Sequence, residues 1–191
     1  MTTDPQTKPE IIDQLRQIQH GVSDTVQTIP ADQFDQGSAE SWSSASYLKH
    51  LLLAVKPFGK AINFPCDQVK TMFGEPDHAS RSYADLVAFY QQRLNQGIRA
   101  EDYPNIVPDT YRMPEALPDD EVQAYLVQTW NEAHDKLIAG LGQWSEADLD
   151  THQLPHAALG LLTVREILFF TLFHNNLHWN DIRAAAISVD N

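Results

Sequence analysis

From Val164 to Ala186 the apolar side chains recur every three or four residues, the spacing of one face of an α-helix and not of a strand. At about 100° per residue, Val164, Ile167, Thr171, His174, His178, Ile182 and Ala185 fall on one stripe, the face that a bundle helix buries. His174 and His178 therefore stand one turn apart on an inward surface, with about 5–6 Å between Cβ atoms, so both imidazoles can turn toward one point. The start of the helix is also legible. Thr163-Val164-Arg165-Glu166 is a capping box, in which the Thr163 hydroxyl and the Glu166 carboxylate satisfy N–H groups that the first turn leaves open. The pair thus lies well inside the helix.

The same period runs through most of the chain, and two-residue alternation of β-branched side chains is missing, so the fold class is all-α. Helices are expected near Pro9–Thr28, Ser44–Ile62, Ser82–Gln96, Asp119–Ala139 and Val164–Ala186, with Gly97 and Gly140 marking two C-terminal ends. With 191 residues, 42% of them hydrophobic and four Trp among them, the chain suits one domain with a real core over 1–191, the first eight residues forming a flexible tail. The segment from Gly97 to Asp119 carries Pro104, Pro108, Pro114 and Pro118. Its length suggests a cover or a plain surface connection, and Tyr103, Tyr111 and Arg112 are its candidates for touching a ligand. A second stretch without regular structure is expected from Asp150 to Leu162, with His152 and His156 near a pocket mouth.

Charge and apolar patterning exclude some partners. Thirteen Lys and Arg against 26 Asp and Glu leave a formal charge of −13, which repels a phosphate backbone, and no basic run offsets it, so no nucleic acid partner is expected. No apolar run approaches the ~20 residues of a membrane span, and the polar start lacks the order of a signal peptide, so no membrane association and a cytoplasmic location are expected. The lone Cys66 permits no internal disulfide and no cysteine cluster, and reads as a bystander thiol.

Any metal must then be held by His or carboxylates. His50 is the third candidate ligand, beside the run Leu51-Leu52-Leu53-Ala54-Val55 of an apolar helix. It lies toward the edge of the apolar arc, with the small Ala54 and Ala61 leaving room for an imidazole. Three neutral imidazoles at His50, His174 and His178 make a borderline site suited to a divalent Zn, Ni, Fe or Co ion with an open position, the mark of a catalytic rather than a closed structural site. Asp181 or Asn175 offers an orienting partner for a ligand ring, although each also fits a plain surface position. A metalloprotease helix would read His-Glu-x-x-His, and Asn175 stands where its general base belongs. A di-iron carboxylate bundle needs two Glu-x-x-His helices, and Glu75-Pro76-Asp77-His78 is the sole match, with a proline inside it. The bland alternative is a hydrogen-bonded core pair. His20, His78 and His134 are expected to face solvent.

Three stretches resemble the DinB-like (YfiT-like) metalloenzyme family, described as damage-inducible or bacillithiol-transferase-like four-helix bundles. Trp42-Ser43 leading to Tyr47-Leu48-Lys49-His50-Leu51 is similar to the family's second helix with its ligand histidine. His156-Ala157-Ala158-Leu159-Gly160-Leu161-Leu162-Thr163-Val164-Arg165-Glu166 is similar to the lead-in to its last core helix, and His174-x-x-x-His178 to the paired ligands there. The resemblance implies a four-helix bundle with an additional helix and a long proline-bearing loop, binding one divalent metal through His50, His174 and His178. It also implies a metal-dependent hydrolase or thiol S-transferase acting on a small-molecule substrate, in the second case with a low-molecular-weight thiol as co-substrate, and relatives of this kind are often homodimers. A third histidine often follows the pair directly in this family. Trp179 holds that place here. The competing function is a non-catalytic helical binding or stress-related module, with or without a dimer.

Overall fold

The structure is a computed structural model that describes residues 4–37 and 41–188. In chain order these form α1 (Lys8–Thr28), α2 (Ala31–Phe34), α3 (Ser44–Ala61), α4 (Cys66–Phe73), α5 (Tyr83–Asn95), α6 (Val122–Leu141), α7 (Glu146–Thr151), β1 (Gln153–His156), β2 (Gly160–Thr163) and α8 (Val164–Ser188). Short 3-10 turns fill much of the segment between α5 and α6. Helices α1 and α3 each pack against both α6 and α8, which closes the four long helices into a bundle, and α5 lies against the outside of α8.

Each bundle helix is recruited by an apolar stripe. Helix α1 buries Ile11, Leu15, Ile18, Val22 and Val26 at steps of three and four, behind a Thr7–Glu10 capping box. Helix α3 buries Leu48, Leu51, Leu52, Val55 and Phe58, and α6 buries Leu126, Trp130, Leu137 and Leu141. At roughly 1.5–3 kcal/mol for each large apolar side chain removed from water, this shared core is the main favourable contribution to folding. The expected tail over residues 1–8 falls partly outside the described residues. Within the described part, the Gln6 carbonyl accepts from Arg165 Nη1 at 3.2 Å and the Lys8 N–H donates to Glu146 Oε1 at 2.6 Å.

The capping box at the start of α8 forms: the Thr163 N–H donates to Glu166 Oε2 at 2.9 Å and the Glu166 N–H to Thr163 Oγ1 at 3.2 Å. The Glu166 carboxylate is fully buried and also receives the Arg81 N–H at 3.0 Å, Arg81 Nη1 at 2.7 Å and His78 Nε2 at 3.2 Å. Burial works to raise the pKa of this carboxyl, but the backbone donors of Arg81 and Thr163, with His78 and the Arg81 charge, outweigh it and hold the group below the usual range. One capping residue thereby ties the chain before α5 to the foot of α8.

Four expectations are corrected. The stretch after Asp150 is not irregular: Gln153–His156 and Gly160–Thr163 pair as an antiparallel hairpin, with Leu154 opposite Leu162 and His156 opposite Gly160. Two four-residue strands are too short for alternation to stand out from the sequence. Gly140 does not end its helix, which runs to Leu141. A Cβ there would lie 2.6 Å from Asn63 Nδ2 and 2.8 Å from Ile62 Cγ2, so close approach to the end of α3 explains the glycine. The expected start at Asp119 is a 3-10 turn, and the α-helix begins at Val122. His134 is fully buried and does not face solvent. Gly97 does serve as a terminator, with φ +94° and a hydrogen bond from the Ile98 N–H back to the Arg93 carbonyl at 3.4 Å.

Trp179 packs across the bundle onto α1, where its Nε1–H donates to Thr25 Oγ1 at 2.8 Å and its six-membered ring covers Gly21. A Cβ at Gly21 would overlap that ring. Alanine gains about 1 kcal/mol in helix propensity over glycine, whereas forcing a methyl into a packed aromatic contact costs about 1–3 kcal/mol. Gly21→Ala is therefore expected to lower the urea midpoint, and a raised midpoint would show that Trp179 has room to move.

Candidate metal centre

His50, His174 and His178 meet between α3 and α8. Each offers a ring nitrogen within 4.8 Å of the others, and the ring centroids are 4.6–5.0 Å apart. His174 and His178 reach this point because residues four apart share a helix face. His50 reaches it because α3 packs directly on α8, and it is only 2% exposed despite its position at the edge of the apolar arc. Phe170, one turn before His174, stacks on that ring at 4.9 Å, and Tyr47 stacks on His178 at 5.6 Å. Trp42 lies 5.2 Å from His50.

The outer nitrogens decide which lone pairs face inward. His50 Nδ1–H donates to the Ile106 carbonyl at 2.6 Å, and His178 Nδ1–H donates to Asp181 Oδ2 at 2.8 Å. A neutral ring with its proton on Nδ1 keeps the Nε2 lone pair, so both rings present Nε2 as a donor toward a metal. His174 Nε2 lies 3.1 Å from His50 Nε2. Metal–nitrogen bonds of about 2.0–2.1 Å in a tetrahedral site set ligand nitrogens about 3.3 Å apart, close to this separation. Burial, with the neighbouring His178, His50 and His156 rings, pushes the His174 pKa well below its ordinary value, so this ring stays neutral and able to ligate. Three imidazoles, two of them oriented from behind, fit a borderline divalent ion.

The cluster forms part of the wall of a cavity of about 530 Å³. Most of its wall is apolar and comes from α3, α4, α5, α8, the hairpin and the proline-bearing segment, including Leu53, Phe58, Phe73, Leu94 and Phe170. That segment acts as a cover. Its Tyr103 and Ile106 face the cavity while the Ile106 carbonyl holds a ligand ring, whereas Tyr111 and Arg112 are not among the lining residues. Ala54 and Ala61 line the cavity beside the histidines, the room that their small side chains promised.

Of the remaining histidines, His156 lines the cavity and His152 does not. His152 packs edge-on against Trp144, with its Nδ1 3.0 Å from the Asp148 carbonyl. His134 Nδ1–H donates to the Trp130 carbonyl at 3.1 Å, leaving Nε2 to accept from Asn175 Nδ2 at 3.2 Å. Asn175 therefore braces a buried histidine of α6 and orients none of the three ligand rings. His20 is exposed, and His78 is half-buried against Glu166 and Asp77. Asp181 could be found from the sequence by its position three residues past His178. The Ile106 carbonyl could not, because a backbone acceptor on a loop carries no residue signal.

A helical bundle whose wall holds three convergent histidines beside an apolar cavity defines the class: helical bundles with a site able to hold a metal ion. A family model described as the DinB superfamily matches residues 14–182, and the chain belongs to that superfamily. No curated protein and no solved structure matches the chain. No helix among the described residues is long and apolar enough to cross a membrane.

Proposed function

We propose that this protein is a metal-dependent enzyme in which His50, His174 and His178 hold one divalent ion, with Zn, Ni or Fe suited to the donors, and in which a small electrophilic substrate is attacked by water or by a low-molecular-weight thiol. The observation that carries the reading is the convergence of three ring nitrogens from two helices within 4.8 Å, on the wall of a cavity of about 530 Å³. Small-molecule pockets run about 300–1,000 Å³ and are mostly apolar with a few placed polar groups, the description that this cavity meets. When bound, such an ion supplies Lewis acidity that lowers the pKa of a water or thiol brought to it.

The chain's own groups do the rest. Asp181 and the Ile106 carbonyl hold His178 and His50 in the tautomer that ligates. Phe170 and the other apolar wall residues strip water from a substrate, which strengthens every electrostatic contact within the cavity. Asn175 in place of a glutamate between the paired histidines disfavours peptide hydrolysis by the zincin route. A hydrolase and a thiol S-transferase use the same donors and differ in the nucleophile admitted.

Protein purified without a histidine tag and equilibrated with Zn(II) or Ni(II) is expected to carry about one ion per chain by elemental mass spectrometry. Metal-replete protein is expected to turn over at least one acceptor in a panel pairing thiols with small electrophiles, run beside ester and amide substrates. Metal binding without turnover across that panel would favour the non-catalytic module, and failure to bind either ion would remove the basis of the proposal.

A further inference from the structure

His156 stands outside the three-histidine cluster and has no part in holding an ion, yet it lines the same cavity. It ends β1, and the chain then turns through Ala157, Ala158 and Leu159 to Gly160, whose φ of +80° is a backbone state open chiefly to glycine. In that turn the N–H groups of Ala158 and Leu159 both donate to His156 Nδ1, each at 3.2 Å. A nitrogen that accepts two backbone N–H groups carries no proton. In a neutral imidazole the single proton must then sit on Nε2, so the turn fixes the tautomer with no help from a ligand. The ring is wedged edge-on against Phe170 at 4.2 Å, the side chain that stacks on His174 from the other side of the same helix turn. Among the described residues Nε2 has no hydrogen-bond partner, and it is not one of the sealed polar atoms that lack one, which are Tyr111 Oη, His174 Nδ1 and Asn175 Oδ1.

We infer that His156 Nε2–H is a substrate-binding donor: it recognises an oxygen acceptor of the carbonyl type on a small, mainly apolar molecule and orients that molecule on Phe170 beside the three-histidine cluster. The inference rests on reading the cavity as the substrate chamber. Its physical basis is the scarcity of competing polar groups. A carbonyl oxygen entering a wall made of Leu53, Phe58, Leu94 and Phe170 loses its water, and an N–H whose direction the hairpin has already set offers a replacement without further ordering. Burial, which pushes the His156 pKa down to about 4, keeps the ring neutral, so it acts as a hydrogen-bond donor and not as a cation.

The test compares acetophenone with ethylbenzene, near-isosteres that differ in the acceptor oxygen, by ligand-observed NMR titration of the full chain, both metal-free and loaded with Zn(II). Wild-type protein is expected to bind the ketone about three- to tenfold more tightly than the hydrocarbon, the range of one net hydrogen bond. His156→Asn keeps an acceptor near the Nδ1 position for the Ala158 and Leu159 N–H groups but lacks Nε2–H, and it is expected to abolish the preference while the ion content stays at that of the wild type. Long-range ¹⁵N correlations on the wild type give a readout that needs no variant, with the Nε2–H tautomer expected from pH 5.5 to 8. The inference is overturned by an Nδ1–H tautomer, by the absence of any ketone preference in the wild type, or by a preference that survives His156→Asn. A preference that survives and requires Zn(II) would assign the oxygen to the metal, leaving the proposed function in place. Conversely, failure to bind Zn(II) with the His156-dependent preference intact would remove the metal reading alone.

Discussion

His174→Ala protein is expected to lose stoichiometric zinc binding, with affinity falling on the order of a hundredfold or more. His174 stands within 5.0 Å of each of the other two rings, 3.1 Å from His50 nitrogen to nitrogen, and its removal leaves two donors that cannot complete a site. A change at an outer partner should cost less. Asp181→Asn preserves shape but withdraws the charge that accepts His178 Nδ1–H at 2.8 Å, and is expected to weaken binding by about 10–100-fold. Isothermal titration of untagged protein measures both, with circular dichroism confirming that α8 survives. The order of the effects separates ligand from orienting partner: equal affinity in His174→Ala and wild type would dismiss the site, and an unchanged Asp181→Asn would reduce that contact to a surface ion pair. Because protons compete for the same lone pairs, affinity is also expected to fall as pH drops through about 6.5.

Mild acid is expected to destabilise the metal-free protein strongly. Burial pushes His134 and His156 down to about 4 each, and drives His174 in the same direction. A base whose folded pKa lies below its unfolded value of 6.5 binds fewer protons when folded. The stability is therefore fully present above pH 6.5 and is lost as pH falls from there toward about 4. A shift of this size corresponds to on the order of 3 kcal/mol for each of His134 and His156, against roughly 5–15 kcal/mol for a whole domain. The carboxylates act in a lower window, since the depressed pKa of Glu166 protects its contribution until pH falls below the ordinary 4.5. Urea midpoints measured at pH 7.5, 6, 5 and 4.5 are thus expected to fall least between the first two points and steeply across the last three. His134→Gln, which can still accept from Asn175, should flatten the slope. Midpoints that do not change between pH 7.5 and 4.5 would mean that these rings are not held neutral in the fold.

The helical bundle was legible because each long helix must hide an apolar stripe, and such a stripe leaves its period in the sequence. The capping box at Thr163 and Glu166 and the turn at Gly97 were legible for a related reason, since local backbone groups need local partners. Other features are decided by contacts distant along the chain. Gly140 looked like a terminator because its reason is the approach of Asn63 and Ile62. His134 looked exposed because its second partner, Asn175 on α8, meets it only in the folded bundle, while the Trp130 carbonyl that accepts from its Nδ1 lies on its own helix.

By itself the sequence determined the five long helices, the inward stripe of the last one, and the pairing of His174 with His178, all of which follow from spacing within a single element, whereas the short α2, α4 and α7 left no such period. It named His50 as a third partner without being able to aim it. Aim belongs to tertiary structure: the packing of α3 on α8 turns that ring inward, the covering segment supplies the Ile106 carbonyl that holds it, and a short hairpin carries His156 to the same cavity. The physical reason is range. Periodicity and capping act over a few residues, whereas the convergence of donors from separate elements depends on how whole surfaces fit, and no short stretch of chain records that fit.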